Sequence, residues 1–95
     1  MLPPPRIFEV VEEPRFEQEL GQFIKDRKIA DAVLRGFIWN LARRPFEGAL
    51  VSPQAIVRGL PLNPYATWLP KNLVVYYTVD KQKQQVHLES IGTIP

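Results

Sequence analysis

Two strand-like runs near the end of the chain are joined by so short a tract that they must form a hairpin. The first run is LVVYYTV, residues 73–79, and the second is QVHLESI, residues 85–91. Only the polar tract DKQKQQ joins them, whereas a parallel crossover needs a dozen or more residues. Both sides of the first run are apolar, which is typical of a central strand covered by helices on one side. We therefore expect a sheet built around this antiparallel pair.

Upstream of the hairpin, the apolar residues recur at helical spacing. PRFEQELGQFIKD, from Pro14, predicts an amphipathic helix, and RKIADAVLRGFIWNLARRP, from Arg27, predicts a second one that Pro45 ends. The predicted apolar stripes are Phe16, Leu20, Phe23 and Ile24 in the first helix, and Ile29, Val33, Phe37, Ile38 and Leu41 in the second. Because few residues join the two helices, we expect an antiparallel helix hairpin.

The remaining segments are extended or irregular. RIFEVVEE, from Arg6, follows three prolines and predicts a first strand, and AIVRGL, residues 55–60, predicts another. FEGALVSP, between the end of the second helix and AIVRGL, is typical of a loop or a short extended piece. PLNPYATWLPKN, residues 61–72, contains three prolines and predicts a long irregular loop of the kind that is often functional. The predicted fold class is α+β, with an N-terminal strand, an antiparallel helix hairpin and then a three-stranded antiparallel sheet, the helices on one face.

The size and composition of the chain exclude several classes of protein. Its 95 residues, 45% of them hydrophobic, suffice for one core and not for two, so we expect a single domain over residues 1–95. Without cysteine, disulfides and thiolate metal sites are excluded. No apolar run is long enough to span a membrane, and the start MLPPPR lacks the apolar region of a signal peptide. We therefore expect a cytoplasmic protein without a membrane partner.

The charged residues are distributed unevenly. Residues 1–19 hold five glutamates and two arginines, whereas the rest of the chain carries ten of the 12 basic residues and five of the 10 acidic ones. A basic body of this kind suits a polyanionic partner or an acidic peptide. The alternative is a basic surface that is simply solvated.

Four stretches of the sequence, in this order, resemble the RelE/ParE superfamily of bacterial toxin-antitoxin toxins. They are LARRPFEG at the end of the second helix and VRGLP, VVYYTVD and VHLESIG in the three strands after it. The likeness covers roughly residues 6–92. It implies a toxin that cuts messenger RNA on the ribosome or acts on DNA gyrase, and it implies a cognate antitoxin that wraps around the toxin.

The sequence departs from the ribonuclease branch of that superfamily at two places. Leu73 and Val74 stand where the branch usually has an aromatic residue and an arginine, and Gly92-Thr93-Ile94 replaces its closing Gly-His-Arg. Cleavage by an RNA 2′-hydroxyl needs a base, cations for the transition state and an acid, so candidates for at least two roles are missing. Three functions stay open: an unusual messenger RNA endoribonuclease, a non-nuclease toxin that binds a protein, and a non-toxic interaction module.

The candidate catalytic residues are His87 and Arg58. His87 is the only histidine in the chain, and histidine is the side chain that most readily exchanges a proton near neutral pH. Arg58, in VRGLP, is the one basic residue at a strand position equivalent to the family's, where it would hold a phosphate or an antitoxin carboxylate. For both residues the alternative is an ordinary place on the protein surface.

The candidate residues for binding substrate or antitoxin are Arg58, Lys71, Tyr76, Trp68, Arg43 and Arg44. Tyr76 and Tyr77 point to opposite faces of their strand. We expect Tyr77 in the core, which leaves Tyr76 to stack on a base, to offer its hydroxyl or to pack at the rim. Trp68 lies in the proline-rich loop and marks a contact if it is exposed, whereas Trp39 is expected in the core or in an interface.

Lysines near the last hairpin extend this list. Lys71, Lys81 and Lys83 flank the two strands and, with the arginines that end the second helix, form either a cationic rim or a set of solvated side chains. No His, Asp or Glu cluster has the spacing of metal ligands, so we expect no metal and no other cofactor.

Overall fold

The structure, a computed structural model, describes residues 7–94. In chain order its elements are β1 (Glu9–Glu12), α1 (Pro14–Phe23), α2 (Arg27–Arg43), β2 (Ala49–Leu50), β3 (Arg58–Pro61), β4 (Leu73–Asp80) and β5 (Gln85–Thr93), with a 3₁₀ turn over Asn63–Tyr65 before β4. The predicted α+β class is confirmed. The predicted start of the first strand at Arg6 and the three prolines before it lie outside the described residues.

The five strands form one mixed sheet in the order β1-β5-β4-β3-β2. β4 and β5 form the predicted hairpin, and β4 is the central strand. β1 pairs parallel to β5, and all other pairs are antiparallel. The sheet has one strand more than predicted, because two residues of FEGALVSP pair with β3 and the N–H of Val51 donates to the carbonyl of Val57.

Local sequence explains where the helices begin and end. α1 begins at Pro14. Proline lacks a backbone N–H, but it is well tolerated here because the N–H groups of the first turn have no acceptor within the helix. α2 begins after Asp26, whose carboxylate accepts the N–H groups of Lys28 at 2.9 Å and Ile29 at 3.3 Å. It ends at Arg43, two residues before the proline that cannot continue it. None of the helices in residues 7–94 is long and apolar enough to cross a membrane.

The core lies between the two helices and one face of the sheet. Its fully buried side chains include Phe16, Phe37 and Leu41 from the helices and Val75, Tyr77, Val86 and Leu88 from β4 and β5. Ile29, predicted in the buried stripe of α2, is instead 45% exposed, because Ala30, Val33 and Leu34 form the buried face of that turn. The long loop before β4 is anchored to the core by Leu62, Ala66 and Leu69.

Candidate functional site

The face of the sheet that does not pack against the helices is here called the open face. Strand register fixes which side chains share it: Tyr76 lies opposite Gly59 on β3 and Ser90 on β5, and His87 lies opposite Thr78 on β4. The flanking residues of these strands point into the core. The open face therefore carries two of the predicted site residues, Tyr76 and His87.

One half of the open face is an apolar groove of about 440 Å³. Its lining residues are Val51, Gly59, Pro61, Val74, Tyr76 and Ile94. Val74 is only 7% exposed and forms the floor, whereas Val51 and Ile94 are half exposed at the sides. A Cβ atom on Gly59 would lie 3.0 Å from a methyl group of Val74. The absence of a side chain at Gly59 thus keeps the groove open above its floor.

The other half of the open face is a hydrogen-bonded polar network around His87. The Nδ1 atom of His87 lies 2.7 Å from a carboxylate oxygen of Glu13, and Nε2 lies 3.2 Å from the side-chain oxygen of Gln85. The Gln85 amide nitrogen in turn donates to the carboxylate of Glu9 at 2.7 Å. His87 is therefore oriented by a glutamate, as catalytic histidines usually are.

The donors and acceptors of this network constrain the histidine ring. The amide nitrogen of Gln85 donates to the carboxylate of Glu9, and the amide oxygen of Gln85 therefore faces the ring of His87. Both ring nitrogens then face oxygen atoms, so the contacts with Glu13 and Gln85 fix the orientation of the ring.

The acidic start of the chain reaches the open face through the pairing of β1 with β5. This register sets Glu9 beside Gln85 and Val11 beside His87, and Glu13, the residue after the strand, contacts the imidazole. A β-bulge in β5 adds Glu89, whose carboxylate accepts the Thr78 hydroxyl at 3.3 Å. Among the described strands, no lysine or arginine faces the same side. The open face is thus acidic although the chain is basic.

Arg58 lies on the opposite face from Tyr76 and His87. It pairs with the buried Tyr77, and its Nη1 atom donates to the carbonyls of Phe46 at 3.2 Å and Gly48 at 2.8 Å. Its guanidinium carbon and the Nζ atom of Lys81 each lie 5.1 Å from the centre of the Phe46 ring. The structure therefore separates the two predicted catalytic residues, and Arg58 supports the loop between α2 and β2.

Tyr77 belongs to the same supporting cluster. Its side chain is fully buried, as predicted, and its hydroxyl accepts the N–H of Gly48 at 2.8 Å. Burial raises the pKa of the Tyr77 hydroxyl, and the hydrogen bond from Gly48 and the charge of Arg58 oppose that rise in part. The hydroxyl thus stays protonated and acts as a structural group.

The other predicted binding residues are exposed and scattered. Trp68 is 61% exposed in the loop before β4, and Lys71 is exposed at the end of the same loop. Arg43 and Arg44 are exposed at the end of α2, where the Arg43 guanidinium lies 4.0 Å from the centre of the Trp39 ring. Trp39 is 61% exposed, so of its two predicted places the core is wrong.

Several residues of the open face were missed by sequence reasoning. They are Glu13 and Gln85, which orient His87, and Val51 and Ile94, which line the groove. All except Gln85 are far in the chain from the residues that they meet. Strand alternation could have placed Gln85 beside His87, because the two are two residues apart on one strand. Nothing local could have placed Glu13 there. Within residues 7–94, no group of three His, Cys, Asp or Glu side chains is arranged to hold a metal ion.

Comparisons with known proteins identify the fold. No protein-family model and no curated protein matches the sequence. Among solved structures, a chain of the toxin-antitoxin complex RelBE2 from Mycobacterium tuberculosis is similar, with a TM-score of 0.68, 14% identity and coverage of 93% of this chain and 99% of that one. A conserved hypothetical protein from Helicobacter pylori is similar as well, with a TM-score of 0.58, 18% identity and coverage of 92% and 94%. The chain therefore has the RelE/ParE-like fold that the sequence resemblance predicts.

Proposed function

We propose that this chain is the toxin component of a toxin-antitoxin pair and that its open face binds a segment of a partner protein. The fold is that of a protein solved in a toxin-antitoxin complex. The observation that carries the proposal is the apolar groove between Val51, Val74 and Ile94, which lies on a sheet face without a lysine or arginine among the described strands. Apolar grooves next to a few polar groups are typical binding sites for protein segments and other ligands.

Electrostatics favour a protein partner over RNA at this face. Binding of nucleic acid is dominated by contacts between cations and phosphates. Here the face carries the carboxylates of Glu9, Glu13 and Glu89, which would repel a phosphate chain. Arg58, the predicted phosphate ligand, is directed to backbone carbonyls on the other side.

Induction of the chain in bacteria tests this proposal, with growth and the integrity of cellular messenger RNA as the two measurements. We expect growth arrest while messages remain intact. The variant Ile94→Asp places a charge in the groove and is expected to relieve the arrest, because apolar contacts with the partner protein that the toxin inhibits are lost.

The matched control for that variant is Ile29→Asp. Ile29 is also 45% exposed, but it lies in the first turn of α2, on the other side of the molecule, where an acidic residue is tolerated. Arrest should persist with this control. Normal growth on induction of the unchanged chain would refute toxicity and leave a non-toxic interaction module with the same fold.

The contact between Glu13 and His87 favours a second candidate function, a messenger RNA endoribonuclease. His87 would serve as the acid that protonates the leaving oxygen, and Glu13, which contacts its Nδ1 atom, would orient the ring. This function predicts cleaved messages on induction, and it predicts that His87→Ala abolishes cleavage while the fold is retained. Growth arrest with intact messages, unchanged by His87→Ala, would exclude it.

A further inference from the structure

We infer that the partner segment carries apolar side chains next to a lysine or arginine, and that it binds along β4 in extended form. This inference rests on the proposed function, because it names the chemistry of the partner at the same face. It differs from the expectation of a polyanion or an acidic peptide, which was based on the net charge of the chain.

The apolar end of the segment is defined by the groove. Val74 and Tyr76 are alternate residues of β4, so their side chains lie about 7 Å apart on one side of the strand. Alternate residues of an extended partner segment have the same spacing. Two apolar side chains, two residues apart, would therefore lie over Val74 and beside Tyr76, between the walls formed by Val51 and Ile94.

The charged end of the segment is defined by the polar side chains that lie beyond the groove along β4. Thr78 is the next residue on the same face, and its hydroxyl is bonded to the carboxylate of Glu89. The carboxylate of Glu13 lies to the side of β4, across β5 and on the far side of His87, and its side chain is 34% exposed. A lysine or arginine two to four residues after the last apolar side chain would reach these carboxylates.

The same arrangement disfavours an acidic segment. The cations Arg58 and Lys81 surround Phe46 on the helix side of the sheet, so a partner on the open face does not meet them. An acidic side chain beyond Tyr76 would face the carboxylates of Glu89 and Glu13, and no lysine or arginine on the described strands lies on that face to compensate them. Like charges at such a contact reduce affinity and select against wrong partners.

A random library of 12-residue peptides, displayed and selected against the folded chain, tests the inference directly. We expect the enriched peptides to carry two apolar residues at alternate positions followed by lysine or arginine. Synthetic peptides of the enriched sequence should bind at least about tenfold more weakly when that basic residue is replaced by glutamate.

Variants of the chain locate the contact. Glu89→Gln is expected to weaken binding of the enriched peptide about fivefold, because one carboxylate is lost while the fold and a hydrogen-bond acceptor remain. Ile94→Asp should abolish binding. Glu17→Gln, an exposed residue of α1, is the control and should leave binding unchanged.

Three results would overturn the inference. They are enrichment of acidic peptides, equal binding of the parent chain and Glu89→Gln, and failure to select any peptide whose binding Ile94→Asp abolishes. Each is independent of growth arrest. Acidic peptides bound in the groove would leave the proposed toxin function intact, whereas a chain that permits normal growth could still bind basic apolar peptides.

Discussion

Tyr76 and Tyr77 are adjacent in the chain, and the two faces of the sheet on which they lie have opposite chemistry. Tyr77 is fully buried beside Arg58, and its hydroxyl is bonded to the backbone of Gly48. Tyr76 is half-buried beside an apolar groove, on a face whose charged groups are carboxylates. Arg58, a predicted catalytic residue, thus supports a loop together with Tyr77, whereas Tyr76 and His87 lie on the open face.

This difference shows why the net charge of the chain gives little information about its binding face. The formal charge is +2, and most of the positive residues lie after residue 19. The fold nevertheless brings the acidic start of the chain onto the open face through β1, while Arg58 and Lys81 point to the other side. A partner that binds at this face would meet the local field of the face rather than the total charge of the chain.

The largest expected effect comes from Gly48→Ala, in the loop between α2 and β2 that Arg58 and Tyr77 support. A Cβ atom at Gly48 would lie 2.6 Å from the Tyr77 hydroxyl and 2.8 Å from the carbonyl oxygen of Gly59. Both neighbours are held in the sheet, so we expect a loss of about 3 kcal/mol in the free energy of unfolding, measured by urea denaturation. The control is Gly21→Ala in α1, where the added Cβ meets nothing within 4 Å and helix propensity predicts a gain of up to about 1 kcal/mol. Equal stability of the two variants would contradict the tight contact between Tyr77 and the loop.

The two tyrosines give a direct comparison of the faces. Tyr77→Phe leaves the buried N–H of Gly48 without its acceptor, so we expect a loss of about 1–2 kcal/mol in unfolding free energy. Tyr76→Phe removes a hydroxyl from a partly exposed side chain, and we expect a change within about 0.5 kcal/mol. Thermal unfolding followed by circular dichroism measures both. If Tyr76→Phe were the more destabilising change, the assignment of structural and binding faces would have to be reversed.

The elements with strong local patterns could be predicted from the sequence. The helices, the β4–β5 hairpin and the burial of Tyr77 depend on helical or alternating apolar spacing and on short connections, which act between near neighbours. The prediction for Ile29 was wrong because Ala30 and Leu34, each one residue along from the predicted apolar positions, are also apolar. A helix can therefore bury them in place of Ile29 and keep most of its apolar contact with the core.

The candidate site could be predicted only in part. Alternation puts His87 and Tyr76 on the face away from the core, but the glutamate next to His87 comes from a distant part of the chain, 74 residues away. The parallel pairing of β1 and β5 is set by packing of the whole domain, and a shift of one residue would turn Glu13 away. The groove likewise requires the register of β3 against β4, which brings Gly59 beside Tyr76.

A smaller effect is expected when the positive charge of Arg58, which supports the same loop, is removed. Arg58→Met retains the apolar stem and loses the hydrogen bonds to the carbonyls of Phe46 and Gly48, so we expect a loss of about 1 kcal/mol in unfolding free energy. The control Arg35→Met changes an exposed residue of α2 and should leave stability nearly unchanged. If Arg58→Met kept full stability but abolished growth arrest, Arg58 would bind a ligand and the cationic side would be the functional one.

The smallest expected effect concerns Glu12, which lies in β1 next to the open-face residues but pairs with the buried Leu88. Burial raises the pKa of the Glu12 carboxyl, and the nearby charges of Glu17 and Asp31 add to the rise while Arg27 opposes it. The folded state therefore binds this proton more tightly than the unfolded state, and the contribution of Glu12 to stability falls as the pH rises from the ordinary glutamate range through the raised value. Glu12→Gln should consequently stabilise the protein at neutral pH, by less than about 1 kcal/mol because solvent screens a partly exposed carboxyl, and the gain should disappear below the ordinary range. Urea denaturation at neutral and acidic pH measures both limits. A stabilisation that is the same at both pH values would show that the effect does not arise from the charge of Glu12. In that case the carboxyl of Glu12 would no longer differ in this respect from the exposed carboxyls of the open face.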